Sequence, residues 1–326
     1  MNTFAIARMT YRESVRQSLF YLIVASSTIV LFLAPLFNLF AFGQEINMLR
    51  EVGLAAITFA GLLISVIFAY LLITSEIDKL TALTILSKPV SRSEFIIGKF
   101  LGIVYTCLLS ILFLGLVFIL VYVLNDIGLA IITFVGLLAS ILPVFILKKR
   151  LKTIYNILTV IITLGLVFIC LYWLTEKIYA RQYLHHPEWA LRNLDMFVKS
   201  EVVPILKGVY FCFLQVIILT SFAIIFSSQV SLILTAIGCF MFFVLGHISI
   251  YLTQGLVSSD HIIMYLIGWM LTLLLPNLTN LNVSSLVADQ YPVGWGYMLA
   301  STGYTIIYSV IILIIAILLF GRKEIK

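Results

Sequence analysis

Charged residues are scarce in this sequence. Only 10% of its 326 residues are Asp, Glu, Lys or Arg, whereas 63% are apolar, and the mean hydropathy is +1.17. A soluble domain carries about 25% charged residues, so this composition excludes an ordinary soluble protein and predicts an all-α polytopic membrane protein. The formal net charge is +6, but the location of the charges matters more than their sum, and we expect no nucleic-acid partner.

Cysteines and histidines are also few. The four cysteines lie within apolar segments and have no paired spacing, which favours small buried side chains over disulfides or metal ligands. His185 and His186 are adjacent, so they point to different sides of a helix and cannot chelate a metal as an i, i+4 pair does. We therefore expect no metal or other cofactor in this chain. The cysteines are Cys107, Cys170, Cys212 and Cys239.

Catalytic and nucleotide-binding motifs are missing. The sequence has no Gly-x-Ser-x-Gly, His-Glu-x-x-His or Walker A motif, and Gly98-Lys99 is followed by Phe100 instead of Ser or Thr. Carboxylates are nearly absent from the apolar segments, which argues against a carrier driven by protons or sodium ions. We therefore do not expect an enzyme; if ATP drives the protein, another chain binds the ATP and Mg.

Long apolar segments are abundant. A helix needs about 20 residues to cross a bilayer, and nine segments approach or exceed that length. Because Lys and Arg concentrate in cytoplasmic loops, a cytoplasmic N-terminus is favoured: it places fourteen of the twenty basic residues on that side. The segments cover residues 19–42, 52–75, 99–124, 127–147, 154–175, 206–227, 229–252, 262–279 and 303–320.

Both termini are basic, so an even number of crossings is expected. The weakest segment is 262–279, because it runs into Pro276 and then into polar residues. Irregular backbone at membrane depth is tolerated where protein covers it, so we interpret 262–282 as an outer re-entrant segment. Residues 1–326 then form a single domain with about eight transmembrane helices. Nine crossings, the alternative, would place the basic C-terminus outside.

The N-terminal residues 1–18 carry Arg8, Arg12 and Arg16 at steps of four, on one face of a helix. This spacing predicts an interfacial helix whose arginines anchor it to the anionic lipids of the inner leaflet. A merely solvated basic start is the alternative. The segment lacks a small-residue cleavage site, so we expect no secretory signal peptide.

The stretch LSKPVSRSEFIIGKFLG, residues 86–102, separates two apolar segments. Pro89 cannot continue a helix, whereas Ser91 and Glu94 have the Ser-x-x-Glu spacing of a capping box that starts one. We expect a short helix over 76–86, a break, and then the capped helix. Four residues would reverse the chain, so the length of 76–98 favours a cytoplasmic docking surface. The candidate docking residues are Glu76, Lys79, Leu83, Lys88, Pro89, Arg92 and Glu94.

Two features are predicted on the outer side. Residues 176–205 form the only sizeable polar stretch and predict a cap on the outer surface. His247 lies within an apolar segment, where an ionisable group is costly and therefore a functional candidate. We expect it near the outer interface. The candidates for an outer gate or re-entrant site are His247, Pro276, Asn277 and Asn280.

Several stretches of the sequence together form a recognisable pattern. They are Thr74–Thr81, Leu86–Phe95, Gly98–Gly102, Gly246-His247, Pro276–Asn282 and Phe320–Glu324. The pattern resembles that of type 2 ABC exporter permeases, most closely the branch associated with multicopper-enzyme maturation. The similarity covers residues 1–124 and 206–326, and the loop between the second and third apolar segments is its most specific part.

The resemblance implies a permease subunit in a bacterial cytoplasmic (inner) membrane, with both termini cytoplasmic. Such a permease forms a homodimer or pairs with a related permease, and it binds two copies of a cytoplasmic ABC ATPase subunit. In that family the segment matching 76–98 is the coupling loop that contacts the ATPase, and re-entrant helices precede the last span. Members usually have six spans, so we expect 127–175 to be an inserted helix pair.

The leading functional hypothesis is therefore an ABC transporter permease that couples ATP hydrolysis by partner subunits to export or extraction of a substrate. Two alternatives stay open: a membrane scaffold or assembly factor without transport activity, and an ion-coupled secondary carrier. The apolar segments offer no polar track, so the sequence does not indicate the substrate.

Overall fold

The computed structural model describes residues 3–35, 37, 44–78, 91–127, 198–257, 262–289 and 291–322, and all regular structure within them is helical. Nine α-helices are described, with a π-helical turn over Val198–Val202 and a 3-10 turn over Thr279–Leu281. They are α1 Thr3–Arg16, α2 Ser18–Leu33, α3 Glu45–Asp78, α4 Arg92–Ile127, α5 Val203–Gln229, α6 Leu232–Val257, α7 Ile262–Leu274, α8 Ser284–Ala288 and α9 Trp295–Arg322.

Five of the described helices are long and apolar enough to cross a membrane. A sixth candidate is the pair α1 and α2, which is bent by 65°. The protein is therefore an all-α polytopic membrane protein, as predicted. The five apolar stretches are Ile46–Thr74, Ser93–Val123, Val198–Gln229, Leu232–Tyr251 and Trp295–Gly321.

One sequence boundary was wrong, and part of the predicted topology lies outside the described residues. Residues 198–205, predicted as the end of the outer loop, are helical and continue into α5, because only Pro204 interrupts them and proline is tolerated in a first turn. Helix α2 ends at Leu33, and residues 36 and 38–42 of the predicted apolar segment 19–42 lie outside the described residues. The predicted pair 127–175 lies beyond the described range apart from residue 127, as does the loop up to residue 197.

Helices α3, α4 and α5 pack along one another and form the centre of the bundle. Glycines permit their close approach: a Cβ on Gly53 of α3 would lie 2.1 Å from the ring of Phe118 on α4. Likewise, a Cβ on Gly208 of α5 would lie 2.7 Å from Leu54 of α3. The core is thus built from apolar side chains on these three helices, with glycine where the backbones come nearest.

The bundle has two ends, which we name by residues. The Arg50 end contains the starts of α3, α5 and α9 and the last turns of α4. The Ser91 end contains the start of α4 and the last turns of α3, α5 and α9. Helices α6 and α9 lie on the outside of α5, and they expose large apolar side chains, with Ile233 71% exposed and Ile307 64% exposed. Such faces are suited to contact with lipid hydrocarbon.

Candidate functional site

The Ser91 end begins α4 with the predicted capping box. The backbone N–H of Glu94 donates to Oγ of Ser91 over 3.2 Å, and the backbone N–H of Ser91 donates to the Glu94 carboxylate over 3.3 Å. Two backbone donors that the helix itself leaves unpaired are therefore satisfied. Both bonds confirm that a new helix starts here, at Arg92.

The other side of the loop differs from the prediction. Helix α3 continues to Asp78, so Glu76 lies in its last turn and does not begin a separate short helix. No proline or glycine occurs between Gly61 and Pro89, so nothing in the sequence ends α3 at the membrane boundary. The predicted docking residues Lys79, Leu83, Lys88 and Pro89 lie outside the described residues.

Helix α1 crosses the start of α4 at two glycines. A Cβ on Gly98 would lie 2.7 Å from Cβ of Ile6, and one on Gly102 would lie 2.5 Å from Cβ of Thr10. Ile6 and Thr10 are buried, as is Ser14 one turn further along α1. A Gly-x-x-x-Gly spacing lets two helix backbones approach this closely. The sequence contained this spacing, but the prediction used it only as part of the family pattern.

The arginines of α1 lie on its other side. Arg8, Arg12 and Arg16 are all exposed, opposite the face that packs on α4, and Phe4 is 79% exposed beside them. The chain turns at Gln17, which has an extended conformation, so that α1 leaves α2 at an angle of 65°. The predicted helix and its single basic face are therefore present; their contact with lipid stays a prediction.

The chain from α7 to α8, residues 262–289, is here called the hairpin. Helix α7 has 13 residues, fewer than the roughly 20 that a crossing needs. Beyond it, the backbone N–H of Leu278 donates to the carbonyl of Gly246 over 3.0 Å, and that of Asn277 donates to Oη of Tyr304 over 2.8 Å. Tyr304 is nine residues into α9, so the hairpin turns about 13 Å from the start of that helix, at 1.5 Å per residue.

Three of the four outer candidates lie in this turn, and the fourth, His247, lies on α6 in contact with it. The carbonyl of His247 accepts a hydrogen bond from Oγ1 of Thr279 over 2.7 Å, and Nδ1 of His247 pairs with the carbonyl of Phe243 over 2.9 Å. Pro276 is buried, and a Cβ added to Gly246 would lie 3.1 Å from the carbonyl oxygen of Pro276. His247 therefore contributes to the packing of the turn through its backbone.

Two asparagines shape the end of the turn. Oδ1 of Asn277 accepts a hydrogen bond from the backbone N–H of Asn280 over 3.2 Å. The carbonyl of Asn280 in turn accepts one from Oη of Tyr297 on α9. Gln215 of α5 donates to the carbonyl of Leu281 over 2.8 Å. The turn is thus tied to three helices, α5, α6 and α9.

A buried charge cluster at the Arg50 end was missed by the sequence reasoning. Arg50 is 1% exposed, although the sequence did not indicate it as a candidate. Its guanidinium donates to Oη of Tyr122 over 2.8 Å and to the carboxylate of Glu201, which also accepts from Oη of Tyr122. We call these three side chains and the carbonyls of Val287 and Ala288 the Arg50 cluster.

The backbone part of the cluster belongs to the hairpin. Arg50 donates to the carbonyl of Ala288 over 2.9 Å and to that of Val287 over 3.4 Å. Both carbonyls lie at the C-terminal end of α8, which is the negative end of a helix and attracts a cation. Beside them, Nδ2 of Asn47 donates to the carboxylate of Asp289 over 3.1 Å. The hairpin is therefore attached to α3 by side chains on successive turns.

The long separation of Arg50 and Glu201 in the sequence explains why the cluster was not predicted. Arg50 and Glu201 are 151 residues apart, and each is an ordinary charge at the edge of an apolar segment. Their burial arises only when α3 and α5 pack. A basic residue just inside the apolar stretch Ile46–Thr74 is the sole signal that the sequence carried.

The described residues contain no group of three or more His, Cys, Asp and Glu that could hold a metal ion. Cys107, Cys212 and Cys239 are buried and unpaired with one another, as expected of small core side chains. Cys170 lies outside the described residues.

Comparison with known proteins identifies no family. No protein-family model matches this chain, and no curated protein matches it significantly. A function must therefore be inferred from the residues and their contacts.

Proposed function

We propose that the protein is the permease subunit of an ATP-driven ABC exporter of the type 2 class. The observation that supports this best is the geometry on the two sides of the loop at the Ser91 end. Helix α3 continues to Asp78 before the loop, and α4 begins with a capping box after it. These helices have 34 and 36 residues, and both run from the loop at the Ser91 end to the Arg50 cluster. A force applied to that loop by a separate ATPase would tilt both helices, and the chain needs no nucleotide site of its own.

The proposed topology has eight crossings and both termini on the cytoplasmic side. Tyr122 and Glu201 are hydrogen bonded, so the chain leaves and returns at the same end of the bundle. We propose two crossings between them, by the apolar runs 127–147 and 154–175, because an even number returns the chain to the same end. The short α7 and the turn at Pro276 fit a re-entrant outer segment.

The proposed partners follow from the resemblance to type 2 ABC exporter permeases. Two ABC ATPase subunits bind ATP and Mg and dock on the coupling loop 76–98. A second permease completes the complex, and anionic lipids of the bacterial inner membrane contact the arginines of α1. Export or extraction of a substrate is the proposed activity, and we propose no catalysis by this chain.

Co-purified ATPase activity tests the proposal. Membranes from the native host carrying tagged protein should yield Mg-dependent ATP hydrolysis after gentle solubilisation and affinity purification. Replacing both Lys88 and Arg92 by Glu should remove that activity, because it makes two of the three basic residues of the coupling loop acidic. Glu94→Gln should retain the cap and reduce the activity less.

Two controls decide the result. Arg12→Glu reverses a charge on α1, away from the loop, and should retain the ATPase. Membrane insertion of each variant is checked by extraction at high pH. Equal hydrolysis with wild-type protein and the double variant would contradict the docking assignment, and purification of a loop-bound partner without ATP hydrolysis would favour a scaffold.

A further inference from the structure

We propose that Arg50 is a positioning residue that closes the outer end of the bundle by holding α8, and that Tyr122 passes the movement of α4 to it. This inference rests on the proposed function, because it takes the loop at the Ser91 end as the place where force enters. It goes beyond that function by assigning the residues that respond at the opposite end.

The contacts of Arg50 support this role. Its guanidinium connects α3 with Tyr122 of α4, with Glu201 of the turn before α5 and with the carbonyls at the end of α8. Within the described residues, it is the one charged side chain that binds those carbonyls. This guanidinium therefore contributes to the position of α8, beside the apolar packing of Val287 on the core.

The geometry makes the cluster sensitive to relative movement of α3 and α4. The Glu201 carboxylate accepts hydrogen bonds from Arg50 on α3 and from Tyr122 on α4, and Arg50 also donates to Tyr122. If the two helices separate at this end, at least one of these bonds must break. Nε of Arg50 has no acceptor among the described residues, so the closed arrangement leaves one donor of the guanidinium available for a rearranged partner.

Helix α8 is a five-residue helix between two segments that are attached to the bundle. On one side, the turn is held by the bonds of Leu278 and Leu281 to α6 and α5. On the other side, Nζ of Lys207 donates to the carbonyl of Val293 over 2.6 Å. Between these points, α8 packs on α3 and α5 with Val287 and Ala288 buried. The described side-chain hydrogen bonds from α3 to α8 and Asp289 are those of Arg50 and Asn47.

A disulfide reporter measures whether the end of α8 is in contact with α3. Asn47 and Asp289 are hydrogen bonded, so the pair Asn47→Cys and Asp289→Cys should cross-link quickly under mild oxidation when α8 is in place. Both substitutions are made in a Cys170→Ala background. The three described native cysteines are buried, so maleimide should label mainly the two introduced cysteines. The cross-linked fraction is measured as protein that maleimide no longer labels, in the complex with its ATPase, with and without ATP, Mg and vanadate.

Three results are expected. Nucleotide should slow cross-linking by about five-fold or more, which is the lower limit of a typical coupling between two sites. Arg50→Gln should slow it without nucleotide, and Arg50→Lys should restore part of the rate. Tyr122→Phe should keep fast cross-linking but lose the nucleotide effect, because it retains Arg50 and Glu201 and removes only the link to α4.

Tyr210→Phe is the matched control for Tyr122→Phe. It removes a partly buried phenol hydroxyl that pairs with Thr302 over 2.6 Å and that lies between α5 and α9, so the nucleotide effect should persist. A full nucleotide effect in Tyr122→Phe, or wild-type cross-linking in Arg50→Gln, would overturn the proposal.

The two proposals fail differently. Loss of co-purified ATPase activity in every preparation, with slow cross-linking in Arg50→Gln, would refute ATP-driven transport and leave the positioning of α8 by Arg50 intact. ATPase activity that depends on the coupling loop, with no nucleotide effect on the reporter, would refute the inference alone.

Discussion

Arg50 is costly to bury, and its partners determine whether it can stay buried. An ionised side chain loses several kcal/mol of hydration in a protein interior, and the loss is recovered only if paired groups surround it. Glu201, Tyr122 and two carbonyls supply such groups here. Removing one partner of Arg50 should therefore lower the stability of the protein more than removing an exposed charge does.

Glu201→Ala should lower the stability of the protein by about 3–5 kcal/mol, because it leaves the Arg50 charge uncompensated. Thermal unfolding in detergent, followed by intrinsic fluorescence, measures the effect. Glu51→Ala is the control, since Glu51 is exposed on the neighbouring position of α3. Equal unfolding temperatures for the two variants would show that the ion pair has no stabilising role.

Gly102→Ala should separate α1 from α4, because its Cβ would lie 2.5 Å from Thr10 and 2.7 Å from the carbonyl of Ala7. Forcing a methyl group into a packed contact costs about 1–3 kcal/mol. Trypsin should then cleave after the α1 arginines faster than in the wild type.

Gly303→Ala provides the matched control for that prediction. A Cβ at Gly303 meets no atom within 4 Å, so trypsin cleavage in α1 should stay unchanged. Unchanged cleavage in Gly102→Ala as well would mean that the close approach of the two helices is not needed to hold α1.

At the scale of elements, the start of α4 depends on its cap. Ser91→Ala should destabilise the first turn by about 1 kcal/mol, because it removes the acceptor for the Glu94 N–H. Hydrogen exchange at the amides of residues 92–95 should become faster. Glu94→Gln retains an acceptor for the N–H of Ser91 and should change exchange less; equally fast exchange in both variants would contradict the capping role of the serine.

Helix lengths show where element prediction succeeded and failed. The start of α4 was predicted correctly because a cap and its partner are only three residues apart. The end of α3 was predicted incorrectly, because the helix extends to Asp78 without any breaker in the sequence. The crossing of α1 over α4 was also missed, since Gly98 and Gly102 have no fixed meaning until a second helix packs on them.

At the scale of the whole molecule, the proposed orientation can be measured directly. In a Cys170→Ala background, Asp289→Cys should react with an impermeant maleimide in intact cells, because Asp289 is exposed at the Arg50 end. Arg8→Cys should react only after permeabilisation, because α1 lies at the Ser91 end. The opposite labelling would reverse the topology and remove the coupling loop from the side where ATPases bind.

The sequence alone determined the class of protein, the positions of most apolar helices, the capped start of α4 and the interruption at Pro276. Each of these depends on residues within about one helix length, through hydrophobic length, capping or loss of a backbone donor. Tertiary structure decided the burial of Arg50, whose partners Tyr122 and Glu201 lie 72 and 151 residues away. A charge at the edge of an apolar segment carries no information about its partners until α3, α4 and α5 pack and exclude solvent around it.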